Sequence, residues 1–322
     1  MVVMITGAGG MVGSHMVDYF YNANVDKVVG TYYRPTTDIM DIQGKAELLE
    51  CDIRYFTNVY DIVKKYLPTQ IYHLAAQSYP AISWDKPQET MEINITGTIN
   101  LFEAIRRIKK ENQDYVPTVV VACSSAEYGN SLLNCNKPVD ENVALLPLHP
   151  YGISKVGQDL LSYQYYINFG IHTVRARIFN TTGPRKVNDV CADFTKRIVL
   201  MENTSNNVTN KLRVGNLETF RAITDVRDLV NALILLAEKG KAGEVYNISG
   251  KSIYKIRDII DIIRRHTDIQ FDIEIDKALL RLTDEKVICG NSDKLYKETS
   301  WKQKYDLETT IVDMLDYWRK KL

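Results

Sequence analysis

Residues 2–13, VVMITGAGGMVG, decide the fold of this chain. Residues 2–6 are apolar up to Thr6 and predict a buried strand, while the glycines that follow predict a tight turn. Apolar residues at helical spacing come next over 12–21, and residues 27–32 are apolar again. The order strand, glycine turn, helix and strand is typical of a βαβ unit in a parallel sheet.

The glycines of this turn indicate a ligand. Gly7, Gly10 and Gly13 follow one another at intervals of three residues. This spacing lets the backbone approach a pyrophosphate, and the helix that starts at Met11 and Val12 offers unpaired N–H groups. Glycines are also common in ordinary turns, so the flanking strand and helix carry the interpretation. We therefore predict that these five residues bind a dinucleotide.

The end of the second strand indicates which dinucleotide binds. NAD enzymes usually place a carboxylate there for the ribose 2′-hydroxyl, whereas this chain continues with Tyr32, Tyr33 and Arg34. Arg34 can pair with a 2′-phosphate, although surface arginines often have no specific partner. The sequence favours NADP(H), with NAD(H) as the alternative.

Composition excludes several classes of function. The 322 residues are 45% hydrophobic and 25% charged, which fits a globular protein of one large domain or two. Forty basic and forty acidic side chains give no net charge, so nothing points to nucleic acid or a membrane surface. Five widely spaced cysteines without a CxxC pair indicate neither a disulfide framework nor a metal site. With no apolar stretch of about 18 residues, we expect a cytoplasmic protein.

The pattern of strands and helices predicts an α/β protein. Strand and helix signals alternate through 1–179 and again over 222–249, which predicts a doubly wound parallel Rossmann sheet. Segments 180–221 and 250–322 break this alternation and are predicted to form a smaller, discontinuous α/β lobe that binds the substrate. The last segment is expected to hold two amphipathic helices around a strand. Ligands of open α/β sheets bind at the carboxyl ends of the strands, so the site is expected there.

Tyr151 and Lys155 form a candidate catalytic pair. In a helix that opens at Pro150 they lie one turn apart on the same face. A free phenol has a pKa of about 10, and a neighbouring ammonium lowers it, which would make Tyr151 a usable general acid or base. Among 20 tyrosines and 40 basic residues such a pair also arises by chance on a helix surface. The pair gains weight from its order after the glycine turn and Ser124.

Ser124 is the candidate hydroxyl of the site. It follows the fifth predicted strand, near the expected position of the nicotinamide, where a hydroxyl would hydrogen-bond the reacting oxygen. The alternative is a serine that only caps the end of the strand. The joint occurrence of the glycine turn, Ser124 and the Tyr151/Lys155 pair favours the catalytic role.

Over nearly its whole length the chain resembles the extended short-chain dehydrogenase/reductase family, which acts on nucleotide sugars. The residues that carry the resemblance are 6–13, 51–54, 73–78, 94–98, 124–129 and 151–155. The resemblance implies that Asp52 and Ile53 contact adenine, and that Lys155 also holds the nicotinamide ribose. The further cofactor contacts that it implies are Leu74, Ala75, Ala76 and Asn94.

Within this family the chain looks most like reductases that convert GDP-4-keto-6-deoxy-D-mannose to GDP-D-rhamnose. Segments 179–185, 193–198 and 215–228 continue the likeness. It implies a GDP-linked sugar whose diphosphate is bound by arginines, since arginine presents paired donors to phosphate oxygens. The implied substrate contacts are Gln77, Ser78, Asn180, Arg185, Arg197, Arg221, Arg281 and Asp284.

The related GDP-mannose 4,6-dehydratases are the main alternative. Dehydration removes a proton from C5, so these enzymes need a carboxylate beside the reacting sugar. In them it lies two residues before the tyrosine of the strand-end motif, and that position here is Ala126. Glu127 is adjacent and stays a candidate catalytic residue, but alternation along an extended segment turns it the other way. A solvated or cofactor-side Glu127 is therefore expected, and the 4-reductase is favoured.

An alternative of another class is a non-catalytic NADP(H)-binding scaffold on the same fold. Such a protein has no need to keep Ser124, Tyr151 and Lys155 together, and this chain keeps them. The long predicted helices 89–110 and 151–169 commonly pair across a two-fold axis in the family, which implies a homodimer or a homotetramer.

Overall fold

The computed structural model describes residues 1–133, 137–204, 210–280 and 286–322. Its strands are β1 (Val2–Thr6), β2 (Lys27–Tyr32), β3 (Glu47–Glu50), β4 (Gln70–His73), β5 (Thr118–Ser124), β6 (His172–Ile178), β7 (Thr181–Thr182), β8 (Lys211–Val214), β9 (Phe220–Ala222), β10 (Thr224–Asp225), β11 (Val245–Ile248), β12 (Ile253–Lys255), β13 (Asp272–Ile275) and β14 (Val287–Ile288). Within these ranges a parallel sheet of seven strands runs in the order β3-β2-β1-β4-β5-β6-β11. This confirms the predicted doubly wound Rossmann sheet, whose strand order reverses between β1 and β4.

Some of the helices pack on the two faces of this sheet, and others pack in a separate cluster. They are α1 (Met11–Asn22), α2 (Phe56–Tyr66), α3 (Pro80–Asp85), α4 (Pro87–Met91), α5 (Gly97–Glu111), α6 (Asn130–Leu133), α7 (Pro150–Phe169), α8 (Val190–Glu202), α9 (Val226–Lys239), α10 (Ile256–Arg265), α11 (Asp293–Thr299) and α12 (Leu307–Lys321). A π-helical turn, Glu92–Thr96, joins α4 to α5. The predicted long helix therefore consists of α4, this turn and α5.

Alternation along β1 builds the core on both sides of the sheet. Val3 and Ile5 pack in one apolar cluster with Met16 of α1, and Met4 packs in another with Phe102 of α5. Successive side chains of a strand point to opposite faces, so a strand buried on both sides reads as a continuous apolar run. The run at the start of the chain thus places Thr6, the last residue of β1, at the centre of the sheet edge.

A third apolar cluster holds α8, α10 and α12 together, with Ile198, Ile259 and Met314 fully buried in it. It draws its residues from both segments predicted to form the smaller lobe. However, Leu295 and Trp301 pack into the core of the parallel sheet, although the predicted segment 250–322 assigns them to that lobe. We propose that the two parts have the predicted boundaries, except that the stretch from Leu295 to Trp301 belongs to the Rossmann part.

The end of the chain differs from its prediction of two helices around a strand. Three helices, α10, α11 and α12, lie in this part of the described chain. Helix α11 has seven residues, which is about two turns and too short to show a clear apolar period.

The last turn of α12 is anchored beside β2. Lys321 of α12 lies 2.7 Å from a carboxylate oxygen of both Asp38 and Asp41, in the segment that follows β2. Arg185, which follows β7, lies 3.4 Å from a second oxygen of Asp41. Asp41 is therefore shared between cations from two distant parts of the chain.

Candidate active site

The glycine turn after β1 fits the pyrophosphate of a dinucleotide. Gly7 has a φ of +76°, and a Cβ on it would lie 2.8 Å from the backbone nitrogen of Ala75. A Cβ on Gly13 would lie 2.3 Å from the carbonyl oxygen of Gly7, so the helix and turn approach each other as only glycine allows. Helix α1 begins after Gly10 without a side-chain cap, which leaves the N–H groups of its first turn for a ligand.

The predicted 2′-phosphate ligand, Arg34, lies on the surface beside β2. Its side chain is 71% exposed, and its guanidinium carbon is 5.1 Å from the centre of the Tyr33 ring. The sequence missed Glu89 of α4, whose carboxylate is 3.8 Å from this guanidinium. That contact joins residues 55 positions apart and has no local signal.

The two residues expected beside adenine are buried at the end of β3. Asp52 binds Arg54 through both carboxylate oxygens, with the shortest distance 2.6 Å. Ile53 packs on Gly97, where an added Cβ would lie 2.5 Å from its side chain. A glycine at the start of α5 therefore makes room for Ile53.

Ser124, Tyr151 and Lys155 come together at the carboxyl end of β5. Ser124 is the last residue of β5, and its side chain lies beside the phenol of Tyr151, whose pKa it acts to lower. The Ser124 hydroxyl also accepts the N–H of Ala126 at 3.2 Å, so it caps the strand end as well. Lys155 Nζ lies 5.9 Å from the centre of the Tyr151 ring.

The electrostatics of the pair differ from the prediction. Burial raises the pKa of Tyr151 to about 12, against a smaller lowering by the Ser124 side chain beside it. Burial also lowers the pKa of Lys155 to about 8. The prediction that Lys155 lowers the pKa of Tyr151 is wrong for this structure, because the ammonium donates instead to the Ala122 carbonyl and to Gln158 Oε1, both at 2.7 Å.

Glu127 is neither solvated nor on the cofactor side. It is fully buried, and its Oε1 accepts the backbone N–H of Ser124 at 2.7 Å. Its Oε2 lies 3.2 Å from Arg177 Nε, which is also 2.9 Å from Asp159. The expectation is corrected because residues 125–127 form a 3₁₀ turn rather than an extended segment, and this turn points the side chain into the protein.

The sequence analysis also missed Arg177 and Asp159. Arg175 and Arg177 alternate in the buried strand β6, and Arg175 binds Asp159 at 2.5 Å. Charged residues are almost never fully buried without a partner. Two arginines in a strand of the predicted parallel sheet were therefore a usable signal that carboxylates lie beside it.

Cys123, Glu127 and Asp159 resemble a metal site by distance alone. Among the described residues, their potential ligand atoms all lie within 4.8 Å of one another. The carboxylates are already paired with Arg177, and burial holds the pKa of the Cys123 thiol well above its usual range. The group is therefore better described as a buried ion-pair network.

The predicted substrate arginines differ in their surroundings. Arg185 lies 2.7 Å from Asp18 and 3.4 Å from Asp41. Arg197 pairs with Asp193 at 3.0 Å and donates to the Arg213 carbonyl. Arg221 donates to the carbonyl of Phe220. Two further predicted contacts, Arg281 and Asp284, lie outside the described residues.

The remaining polar candidates line the loop after β4. Gln77 donates to Thr90 Oγ1 at 3.0 Å, and its backbone groups bind both ends of the Asn94 amide. Asn94 also donates to Ser154 Oγ at 2.8 Å, so it connects this loop to α7. Ser78 is exposed.

Asn180 follows β6. In the described part of the chain, the buried side-chain nitrogen of Asn180 has no hydrogen-bond partner, and a ligand oxygen would satisfy it.

Backbone positions of the same loop face the glycine turn. The N–H groups of Leu74 and Ala75 both donate to Thr6 Oγ1, at 3.1 and 3.2 Å. Ala75 and Ala76 are half-buried. The loop and the turn thus meet at the switch point of the sheet, where open α/β folds bind their ligands.

A parallel sheet of this order, with a glycine turn and a Ser–Tyr–Lys group at its carboxyl edge, is the arrangement of the extended short-chain dehydrogenases/reductases. A model of the family described as GDP-mannose 4,6 dehydratase matches residues 4–314, so the chain belongs to that family. In the described residues, no helix has the length and apolar character needed to cross a membrane.

Individual relatives agree with this placement. The chain is 27% identical to GDP-6-deoxy-D-mannose reductase of Pseudomonas aeruginosa over 99% of its own length and 98% of the relative. A solved structure described as RMD from Pseudomonas aeruginosa complexed with NADPH has a TM-score of 0.82 at 24% identity, covering 100% of this chain and 99% of that one. A UDP-glucuronic acid 4-epimerase from Bacillus cereus, in complex with UDP-glucuronic acid and NAD, has a TM-score of 0.85 at 25% identity with full coverage of both chains.

Proposed function

We propose that this protein is an NADP(H)-dependent reductase of the C4 keto group of a GDP-4-keto-6-deoxy-hexose, forming a product of the GDP-rhamnose type. One observation carries the proposal. The site presents the hydroxyls of Ser124 and Tyr151 beside each other, while Glu127, the carboxylate of the same turn, is buried against Arg177. Ala126 occupies the position where a dehydratase carboxylate is expected. The site thus holds a proton donor for a ketone oxygen and lacks the carboxylate that a dehydratase would need at the position of Ala126.

The roles of the three residues follow from their positions. A bound nicotinamide dinucleotide would supply the reducing equivalent. Tyr151, whose raised pKa of about 12 keeps the phenol protonated near neutrality, donates its proton to the oxygen that develops negative charge at C4. Ser124 hydrogen-bonds the same oxygen and fixes its orientation. Lys155 supplies positive charge behind the phenol.

Contacts to the dinucleotide are proposed for the residues that surround the glycine turn. The unpaired N–H groups at the start of α1 would bind the pyrophosphate, and Asp52 with Ile53 would line the adenine site. The full proposed set is Gly7, Gly10, Met11, Val12, Gly13, Arg34, Asp52, Ile53, Leu74, Ala75, Ala76, Asn94, Tyr151 and Lys155.

Contacts to the sugar nucleotide are proposed across the same cleft. Asn180 is the best supported, because its buried amide nitrogen needs an acceptor among the described residues. Gln77, Ser78, Arg197, Arg221, Arg281 and Asp284 complete the proposed set. Arg185 belongs to the proposed set as well, and Asp18 and Asp41 lie beside it. The relative from Pseudomonas aeruginosa named as a GDP-6-deoxy-D-mannose reductase supports a GDP-linked substrate.

The direct test is the oxidation of NADPH by purified protein supplied with GDP-4-keto-6-deoxymannose. We expect loss of NADPH absorbance matched by formation of a GDP-6-deoxyhexose. If GDP-mannose alone yields a 4-keto product with no added cofactor, the protein is a 4,6-dehydratase. If NADPH binds and neither reaction occurs across a panel of nucleotide sugars, the protein is a non-catalytic scaffold.

Replacing Arg34 tests the choice of dinucleotide. We expect Arg34→Met to weaken NADPH binding by about 10- to 100-fold, because one hydrogen-bonded contact to a charged group is lost. NADH has no 2′-phosphate, so its affinity should change little. The dissociation constants would be measured by fluorescence titration. Lys86→Met is the matched control, since Lys86 contacts the same Glu89 at 3.3 Å. An equal loss for both dinucleotides would remove Arg34 from the phosphate site.

An apolar stripe on α7 supports a homodimer. Ile153, Leu160 and Ile167 are exposed at every seventh residue and therefore lie on one face of the helix. We expect Leu160→Asp to reduce the mass in light scattering from twice 36.9 kDa to 36.9 kDa, because a carboxylate would be buried in the interface. Leu200→Asp on α8 is the control and should leave the mass unchanged. A monomeric parent protein, or identical masses for both variants, would contradict this assignment.

A further inference from the structure

The ammonium of Lys155 has a dedicated acceptor one helical turn along α7. Lys155 Nζ donates to Gln158 Oε1 at 2.7 Å, and Gln158 Nε2 donates to Thr98 Oγ1 of α5 at 2.9 Å. All three side chains are buried. The amide of Gln158 thus joins the catalytic lysine to the neighbouring helix.

Hydrogen bonding fixes which way this amide points. Thr98 Oγ1 donates its one proton to the Asn94 carbonyl at 2.6 Å, so its oxygen can only accept from other groups. His73 Nε2, 3.0 Å away, and Gln158 Nε2 are the two donors that use it. An inverted amide would place an oxygen against an oxygen at Thr98 and an NH₂ against an ammonium at Lys155.

The same chain of bonds reaches the glycine turn. With Nε2 as donor, His73 accepts at Nδ1, so the Thr6 hydroxyl, 2.9 Å away, is the donor there. Burial lowers the pKa of His73 to about 3, which keeps the ring neutral. The donor and the acceptor of each hydrogen bond from Thr6 to Lys155 are therefore fixed, and the Gln158 oxygen is held towards the ammonium.

We propose that Gln158 is a positioning residue, which holds Lys155 protonated and oriented behind Tyr151 through its side-chain oxygen. The proposal rests on the proposed function for the importance of Lys155, and on the hydrogen-bond geometry for the contact itself. A buried ammonium without acceptors loses its proton readily. The Gln158 oxygen and the Ala122 carbonyl are the two acceptors that the described structure gives to Lys155.

Several titratable groups face Lys155 from neighbouring elements. They are Cys123 on β5, Glu127 in the turn after it, His73 on β4 and Tyr151 on α7 itself. Burial lowers the pKa of Lys155, while Cys123 and Glu127 act to raise it. A substitution at Gln158 leaves all four groups in place, so a change in the titration of Lys155 would report the amide.

The test titrates Lys155 directly. The ¹³Cε signal of Lys155 would be followed against pH in protein labelled at lysine, and identified by its absence in Lys155→Met. We expect a midpoint near 8 in the parent. In Gln158→Met, which keeps the length of the side chain and removes the oxygen, it should fall by at least about one pH unit. An unchanged midpoint in folded Gln158→Met would overturn the proposal.

Two variants separate positioning from general damage to the helix. Gln158→Glu restores an acceptor and should return the midpoint to the parent value or above. Ser162→Ala removes a buried hydrogen bond of the same helix, from Ser162 Oγ to the Gln158 carbonyl at 2.7 Å, without touching the lysine. It should lower thermal stability and leave the midpoint unchanged. A matching shift in Ser162→Ala would show that disturbing the helix is sufficient, and would also overturn the proposal.

Activity supplies an independent readout. If Lys155 must be protonated, kcat should decline at a lower pH in Gln158→Met than in the parent, with the KM for the sugar nucleotide nearly constant. The NMR titration needs neither substrate nor turnover. A shifted midpoint in a protein that reduces no nucleotide sugar would therefore refute the proposed function and leave the role of Gln158 intact.

Discussion

Tyr151→Phe is expected to lower the turnover of the keto sugar nucleotide by about 10²- to 10⁴-fold, which is the usual contribution of a positioned proton donor. The phenylalanine keeps the buried ring and loses only the hydroxyl beside Ser124. Because the substrate contacts stay in place, its dissociation constant should change little. Single-turnover rates and equilibrium binding would measure the two quantities separately.

The matched control for this substitution is Tyr163→Phe. Tyr163 lies on the same helix and is 45% exposed, so it loses a hydroxyl without losing a contact in the site. It should retain the turnover of the parent. Full activity in Tyr151→Phe would assign the proton transfer to another group. A loss confined to substrate binding would make Tyr151 a binding residue only.

Arg177→Met is expected to lower the free energy of unfolding at pH 7 by about 3–5 kcal/mol. Arg177 is 4% exposed, and its guanidinium is the shared partner of Glu127 and Asp159, both fully buried. Methionine fills most of the space of the arginine but removes the positive charge that Glu127 and Asp159 share. Urea unfolding followed by circular dichroism would measure the change. Lys64→Met, which breaks an exposed pair with Glu111, should leave the stability within experimental error.

The pH dependence of this variant has a definite sign. Burial, with a further contribution from Asp159, raises the pKa of Glu127 well above its ordinary 4.5 in the folded protein. The protonated form is then favoured by folding, so the stability from this group is complete below pH 4.5 and is lost as the pH rises through the folded pKa. The deficit of Arg177→Met should therefore shrink between pH 7 and pH 4.5. A deficit that grows towards acid would contradict the paired assignment.

The sheet and the cluster of site residues were predictable because their signals are local. The apolar run 2–6 and the glycines after it determine β1 and the turn, and the order of parallel strands then brings Ser124 and Tyr151 to one edge. The short helix α11 was missed, since two turns give no clear period. The 3₁₀ turn that buries Glu127 was missed as well. In an extended strand successive side chains point to opposite faces, so ending the strand one residue earlier changes the direction of the Glu127 side chain.

Contacts between distant segments could not be predicted in the same way. The attraction between Lys155 and Tyr151 was inferred from spacing alone, and the structure adds Gln158 and Ala122, which take the ammonium instead. Arg185 was expected to bind a phosphate because of the resemblance, and its ion pair with Asp18, 167 positions away, has no local signal in the sequence. A charged residue that becomes buried needs a partner of opposite charge, and the sequence alone does not show which residue that partner is.

The carboxylate of Asp41 is a junction between three stretches that are remote in sequence. It holds Lys321 of α12 and Arg185, which follows β7, at once. The segment it belongs to follows β2, on the side where the adenosine of a dinucleotide would rest. A displacement of α12 relative to the segment after β2 would therefore have to break these ion pairs or carry that segment with it.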